Sequence, residues 1–334
     1  MNSLLAGLIG VMLATNQPTA LSNLITQTTG AKVEVPNPDD PVEKEFQQIM
    51  REDDAAQAEV DGWIKENQKF AAEGAGVPNA ELNQRILKRF EPVRLAYEGF
   101  IKRHPDHVGA RIAYASFLED IGDEQGEVQQ LEKARELDPT DPAIWNNLAN
   151  YYGHRSPVKK AFAYYAKAIE LDPHESVYYF NLATTVYLFR KDAKEYYHIN
   201  EQQVFDKAMK LYRAALKLDP TNFPLASDLA QSYYGIKPWR FEDALQAWTN
   251  ALHIAHDDVE REGVYIHFAR VNYLAGRLTQ ARAALTHVTN SMYGDLKARI
   301  ERNINDKEAE EKSNSVPSEA SAAKAESAGK SQSP

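Results

Sequence analysis

Apolar residues recur along this chain at helical spacing, and the helices they define come in pairs. The first stripe is Phe46, Ile49, Ala56, Val60, Trp63, Ile64 and Phe70, which predicts a long helix with one buried face. Asp40-Pro41-Val42-Glu43 starts it with an Asp cap, a Pro in the first turn and an acid where the helix dipole favours one. Asp53 and Asp54, adjacent acids on this helix, read as part of a solvated face. The run Gly74 to Pro78 breaks the helix. A second helix is predicted from about 79 to 103, with Leu82, Ile86, Phe90, Leu95, Tyr97 and Phe100 apolar, and His104-Pro105-Asp106 closes it.

From Val108 the pattern becomes periodic. Leu137-Asp138-Pro139 and Leu171-Asp172-Pro173 stand 34 residues apart, and Leu218-Asp219-Pro220 repeats the phrase after a longer gap. In the clearest unit Trp145, Leu148 and Tyr152 share one face of a first helix, with Ala149 where the helices cross. Ala161, Tyr165 and Ala168 follow on the second helix, and Pro173 ends the unit. One period earlier stand Arg111, Tyr114, Ala115, Leu118, Leu131 and Ala134, with Glu127 where an alanine is expected. Tyr179, Leu182, Ala183, Val186, Ala208, Tyr212 and Ala215 form the next set. Then come Ala226, Leu229, Ala230, Tyr233, Ala244, Trp248 and Ala251, and finally Tyr265, Phe268, Ala269, Gly276, Ala281, Leu285 and Val288. Antiparallel helices approach closely only where a small residue removes the side-chain barrier, and large residues must fill the space beside it. A period of this length marks stacked helix-turn-helix units, none of which buries its apolar face alone.

This code resembles the tetratricopeptide repeat, whose signature is an aromatic-Leu-Gly/Ala-Tyr helix, an Ala-aromatic-Ala helix and a closing Pro. The resemblance is strongest over Pro142–Glu175 and weakens in the last two units, where Leu252-His253-Ile254-Ala255-His256-Asp257 replaces Leu-Asp-Pro. It implies an all-α, right-handed α-solenoid of stacked helix-turn-helix repeats. The expected organisation is an N-terminal apolar segment at 1–20, a linker at 21–41, and a helical extension or divergent repeat at 42–107. Five units would follow at 108–141, 142–175, 176–222, 223–258 and 259–290. A capping helix at 291–305 and a disordered tail at 306–334, poor in large apolar residues, complete the chain. The third unit is thirteen residues too long, around 191–203. Either both its helices lengthen, the preferred reading, or a loop forms whose tip presents Tyr196, Tyr197 and His198 to a partner.

The resemblance also implies where binding occurs: an extended peptide in the groove lined by the first helix of each unit. The groove-facing positions would be Asn146, Asn150, His154, Phe180, Thr184, Tyr187, Gln231, Tyr234, Arg270 and Tyr273. Asn147 and Asn181 stand where family members use asparagine to hold a ligand backbone or carboxylate. A carboxamide suits that task because it offers both a donor and an acceptor. The Lys/Arg clamp of one subgroup, which grips a C-terminal carboxylate, is missing: Ile112, Ser116, Val177 and Asn181 occupy those places. Several groove residues could instead only solvate or pack the inner wall. The expectation for a double change, Asn150→Ala with Tyr187→Ala, is weaker binding at an unchanged melting temperature.

Composition narrows the classes further. A formal net charge of -10 and the lack of a dense basic block argue against nucleic acid as a partner. Tyrosines crowd the middle of the chain, from Tyr151 to Tyr197, where a half-buried ring with a polar tip is useful. There is no cysteine, which excludes disulfides, thiolate metal sites and a cysteine nucleophile. Leu4 to Ala14 is an uncharged apolar run, too short for a stable transmembrane helix but suited to a secretory signal. It lacks a preceding Lys or Arg and a good cleavage pattern, so a cytoplasmic chain with a frayed or partner-packed first helix stays open beside export to a periplasmic or secreted site. No phosphate loop, His-Glu-x-x-His pair or calcium-loop spacing occurs. His253 and His256, followed by Asp257 and Asp258, fit a helix end better than a metal site. No cofactor or enzymatic activity is expected. The reading is a non-catalytic scaffold or adaptor for a protein or peptide partner. Its rivals are an array that self-associates through its end helices and an enzyme with a site in the groove, for which no constellation is present. The partner's identity and the oligomeric state are not encoded in any motif.

Overall fold

A computed structural model describes residues 40–72 and 74–315. The expected signal segment, most of the linker and the end of the tail lie outside the described residues. Every regular element among the described residues is helical, and the chain divides at Leu218/Asp219 into two compact units.

Among its described residues the N-terminal unit holds nine α-helices: α1 (Pro41–Ala72), α2 (Asn79–Arg103), α3 (Val108–Asp120), α4 (Glu124–Leu137), α5 (Pro142–His154), α6 (Val158–Leu171), α7 (Ser176–Leu188), α8 (Arg190–Tyr197) and α9 (Glu201–Leu218). Successive helices pair, α1 with α2, α3 with α4, α5 with α6 and α7 with α9, and the second helix of one pair packs on the first helix of the next, while α1 also meets α3 and α5 meets α7. The small-large code explains the packing. Ala115, Ala134, Ala149, Ala161, Ala168, Ala183, Ala208 and Ala215 are buried at the crossings, and Leu118, Leu148, Tyr165 and Tyr212 fill the space around them.

The 34-residue period also shows in a polar contact. Arg111 Nε and Nη2 donate to the Pro105 carbonyl (2.9 and 2.6 Å), Trp145 Nε1 to that of Pro139 (2.8 Å) and the Tyr179 hydroxyl to that of Pro173 (3.2 Å). Three different side chains thus tie each first helix to the proline turn six residues before it, satisfying a carbonyl that the turn leaves over. Caps complete the turns: Asp123 Oδ1 accepts from the Gly126 amide (2.9 Å) and Asp141 Oδ1 from the Ala143 amide (2.8 Å).

Three expectations for this unit need correction. Asp53 is not on a solvated face; it is 1 % exposed, in the same stripe as Phe46, Ile49, Ala56 and Val60. It falls in helical phase with them, and the Tyr97 hydroxyl supplies the bond that lets the carboxylate stay inside (2.8 Å). Leu95 and Phe70, expected in apolar stripes, are exposed. The buried face of α2 runs through Phe90, Val93, Tyr97 and Phe100, a phase that turns Leu95 outward. Lastly, the extra residues of the third unit form neither a loop nor two simply lengthened helices. The chain breaks at Phe189, makes the short helix α8, and turns at His198 in the left-handed region (φ 54°) before α9. The helix is held by packing on α6, where Tyr196 and Tyr197 lie 5.3 and 5.5 Å from the buried ring of Phe162.

The C-terminal unit contains α10 (Phe223–Ser232), a 3-10 turn (Tyr233–Gly235), α11 (Phe241–Ile254), α12 (Asp258–Leu274), α13 (Leu278–Leu285), a second 3-10 turn (Ser291–Tyr293) and α14 (Gly294–Ser315). α10 pairs with α11 and α12 with α13. Ile300 and Ile304 of α14 are buried with Ala281 and Leu285. This last helix runs well past 305, into the segment expected to be a tail. Arg282 holds it there, donating to Glu308 (3.1 and 2.9 Å) and to Asn305 (2.5 Å). A fork on two oxygens gives the exposed turn an anchor that its apolar content does not provide. No helix among the described residues is long and apolar enough to cross a membrane.

Candidate functional site

In the N-terminal unit the expected groove positions fall on α5 and α7, whose first-helix faces lie side by side. They divide into spent and available groups. Asn146 is fully buried, so it has no surface to offer a ligand. Asn181 Nδ2 donates to Asn146 Oδ1 (3.1 Å) and more weakly to Asn150 Oδ1 (3.4 Å), which the Tyr165 hydroxyl also reaches (2.7 Å). These three carboxamides are therefore a network that locks α5 to α7. Thr184 Oγ1 is likewise engaged with the Tyr212 hydroxyl (2.9 Å).

Asn147 differs: the residue is half-buried and stands outside this network, and its Oδ1 is enclosed without a hydrogen-bond partner. Beside this network stand His154, exposed, and Phe180 and Tyr187, half-buried. Phe180 packs on Tyr212 (5.8 Å), and Tyr187 packs on Phe205 (6.1 Å) with the Arg190 guanidinium over its ring (5.6 Å). The aromatic faces are thus held in place before any partner arrives. The structure changes one expectation. Asn150→Ala removes the acceptor of a buried tyrosine hydroxyl, so it does not leave stability untouched.

A buried ion pair borders this face. Glu127, at the position where the repeat uses alanine, is 3 % exposed, and Arg155 at the end of α5 approaches it (3.3 Å) while also reaching Glu124 (3.1 Å). Loss of water pushes the Glu127 carboxyl up to about 7; Glu119 nearby adds to this and Arg155 opposes it. The Arg155 guanidinium also lies 4.6 Å over the Tyr151 ring.

In the C-terminal unit Gln231 is exposed at the end of α10, and Tyr234, Arg270 and Tyr273 lie on the 3-10 turn and α12. Here the sequence missed the central residue. His267 stacks on buried Trp248 (4.0 Å between centroids, 8°), and its Nδ1 meets the Tyr234 hydroxyl (3.1 Å). Although part of the residue reaches solvent, its ring is enclosed, and this desolvation with the nearby Arg270 charge pushes its pKa down to about 3. His267 is neutral at any ordinary pH. Its one legible signal is that it follows Tyr233 by 34 residues, inside the repeat code. Arg270 lies 4.4 Å over the Tyr234 ring, and the Lys307 ammonium 5.5 Å over Tyr273.

His253 and His256 do not converge: both are exposed, and His256 Nδ1 instead meets Glu260 (3.0 Å). Among the described residues no group of three or more His, Asp or Glu side chains could hold a metal ion.

Residues 142–175 match a family model described as tetratricopeptide repeat. A comparison with curated proteins gives no match. Among solved structures, the C-terminal part of a TPR repeat-containing protein from Cytophaga hutchinsonii aligns at 14 % identity and a TM-score of 0.49, over 76 % of this chain and 97 % of that one. Pseudomonas aeruginosa pilF aligns at 14 % identity and 0.47, over 77 % and 99 %. YrrB, titled a TPR protein with an unusual peptide-binding site, aligns at 13 % and 0.46, over 62 % and 98 %.

Proposed function

We propose that this tetratricopeptide-repeat protein is a non-catalytic scaffold that holds a protein or peptide segment on the α5–α7 face of its N-terminal unit. The observation that carries the reading is a pair of half-buried aromatic faces, Phe180 and Tyr187, held in place by Tyr212, Phe205 and Arg190. Beside them Asn146, Asn150 and Asn181 are spent on one another and on Tyr165, a network in which half-buried Asn147 takes no part. Ring faces ordered before a partner arrives suit the side chains of an extended chain.

The test uses Asn147→Ala combined with Tyr187→Ala, which, unlike Asn150→Ala, takes no acceptor from the Asn150–Asn181–Tyr165 network. Crosslinking pull-down from the native host with the wild-type chain identifies bound proteins by mass spectrometry. The double variant is expected to lose them while keeping its helicity and melting temperature. Recovery of the same proteins at the same affinity would remove the α5–α7 face from consideration. We also propose export from the cytoplasm, on the strength of the apolar run Leu4–Ala14. Intact mass of the native protein tests this, since an unprocessed N-terminus would count against it.

A further inference from the structure

The long helix α1 is held unevenly on the rest of its unit. At its first turn Glu43 Oε1 meets His107 Nε2 (3.0 Å), with both side chains largely buried, and Glu45 meets Arg103 and, at 3.8 Å, His104. His107 Nδ1 accepts from the Ala110 amide (3.0 Å), which leaves the N–H of a neutral ring on Nε2 to donate to Glu43. This tie therefore needs no charge on the histidine. Farther along, the polar ties of α1 lie near the surface: Arg89 donates to Glu59 (2.6 Å), and the Arg85 guanidinium lies over Trp63 (3.7 Å). Exposed pairs of that kind add little to stability.

Between these ties α1 brings a carboxyl inside. Asp53 is 1 % exposed, and its Oδ1 has no partner. One turn on, Gln57 Nε2 donates to Asp120 Oδ2 at the end of α3 (2.9 Å), so a second carboxyl is turned toward α1 although its residue reaches solvent. The charges that act on the two are all negative: Asp54 on Asp53, and Glu119, Asp53 and Asp61 on Asp120. From α2 the Tyr97 hydroxyl faces Asp53, while Arg89 is spent on Glu59 and Arg94 on Glu98 and Asp123. On α4, Glu124 and Glu127 belong to Arg155. Loss of water, with these like charges behind it, pushes Asp53 up to about 6 and Asp120 up to about 7. Both hold a proton more tightly with α1 seated than with α1 away, where an aspartate has its ordinary value of 3.8. The seated arrangement is therefore favoured in acid and loses that advantage as pH rises through about 6 and 7.

We propose that α1 is a strap held by protons: with Asp53 and Asp120 neutral it lies seated on α2 and α3, and when both ionise it swings away from Met50 onward about its tethered first turn. The movement bares Met50, Ala56 and Val60 and the apolar cluster of α2 and α3 to which they belong. The end of the N-terminal unit is thus closed in acid and opens toward neutral pH. The strap uses no residue of the α5–α7 face, so the two proposals stand or fall separately.

The experiment is hydrogen exchange of the full chain, read by mass spectrometry from about pH 5 to about pH 8 and corrected for the intrinsic exchange rate. The opening equilibrium of residues 50–60 should rise about tenfold over that range through Asp53 alone, and further through Asp120. The amides of α6 should keep their protection throughout. Asp120→Asn, at an exposed residue, should flatten the rise in part, and Asp53→Asn with Asp120→Asn should abolish it. The single variant keeps the test decisive if the double one folds poorly, which circular dichroism shows. A flat profile in the wild type, an equal rise in α6, or a wild-type slope in Asp120→Asn would each overturn the proposal. So would a slope that survives in a folded double variant.

Discussion

Asp53→Asn should make this protein more stable at neutral pH, and the gain should vanish in acid. The carboxylate of Asp53 is 1 % exposed, its Oδ2 accepts from the Tyr97 hydroxyl at 2.8 Å, and its Oδ1 has no partner. Burial raises its pKa from 3.8 to about 6, against the lowering effect of the Tyr97 bond. Since the folded state holds this proton more tightly than the unfolded one, the site contributes its stability below pH 3.8 and loses it as pH rises through about 6. A proton held about a hundredfold more tightly corresponds to about 3 kcal/mol. Asparagine keeps an acceptor for Tyr97 and carries no charge, but its amide group enters a place with no acceptor, which costs about 1–2 kcal/mol. The net gain at neutral pH is therefore about 1–2 kcal/mol. Unfolding in urea at about pH 4 and about pH 8 gives the two differences, and hydrogen exchange of the α1 amides localises them, because an array need not unfold in one step. Subtracting variant from wild type cancels the carboxyls remote from this site; Asp120, raised to about 7 by burial and in part by the Asp53 charge, is relieved in the variant and adds to the gain in the same direction. A difference that stays constant across this range, or grows toward acid, would refute the argument, because a group that is already protonated gains nothing from neutralisation.

Other perturbations follow from the same packing. Arg155→Ala leaves Glu127 buried beside Glu119 and Glu124 without its cation. It should cost about 3 kcal/mol at a pH above the Glu127 value of about 7 and much less below 4.5, measurable by urea unfolding at both ends. Asn150→Ala should lower stability by about 1–2 kcal/mol through the stranded Tyr165 hydroxyl, seen as a lower melting temperature. Ala149→Leu, at a site with 0 % exposure in the helix crossing, should cost about 3 kcal/mol or prevent folding of the unit, checked by circular dichroism and denaturant midpoint.

The α5–α7 face shows how far sequence reasoning reached and where it stopped. The period of 34 placed Asn146, Asn147, Asn150 and Asn181 on first helices, and that placement follows from spacing alone. Which of the four join in one network depends on rotamers and on a neighbour 31 or 35 residues away, information that no local window contains. Tyr196 and Tyr197 make the same point from the other side: their sequence surroundings suggest an insertion tip, but Phe162 on α6 gives them a place to pack.

What the chain's sequence determines by itself is the paired helices of the repeats and the small residues at their crossings. Backbone geometry makes these local and periodic, so a repeat of apolar, small and proline positions suffices to state them. The tertiary structure alone decides which polar groups are consumed. Asp53 goes inside because Tyr97 can bond it, α14 extends because Arg282 can hold Glu308, and His267 stays neutral because Trp248 covers it. Each outcome turns on a partner distant in sequence, whose contact outweighs the desolvation or ordering cost that the residue would bear alone.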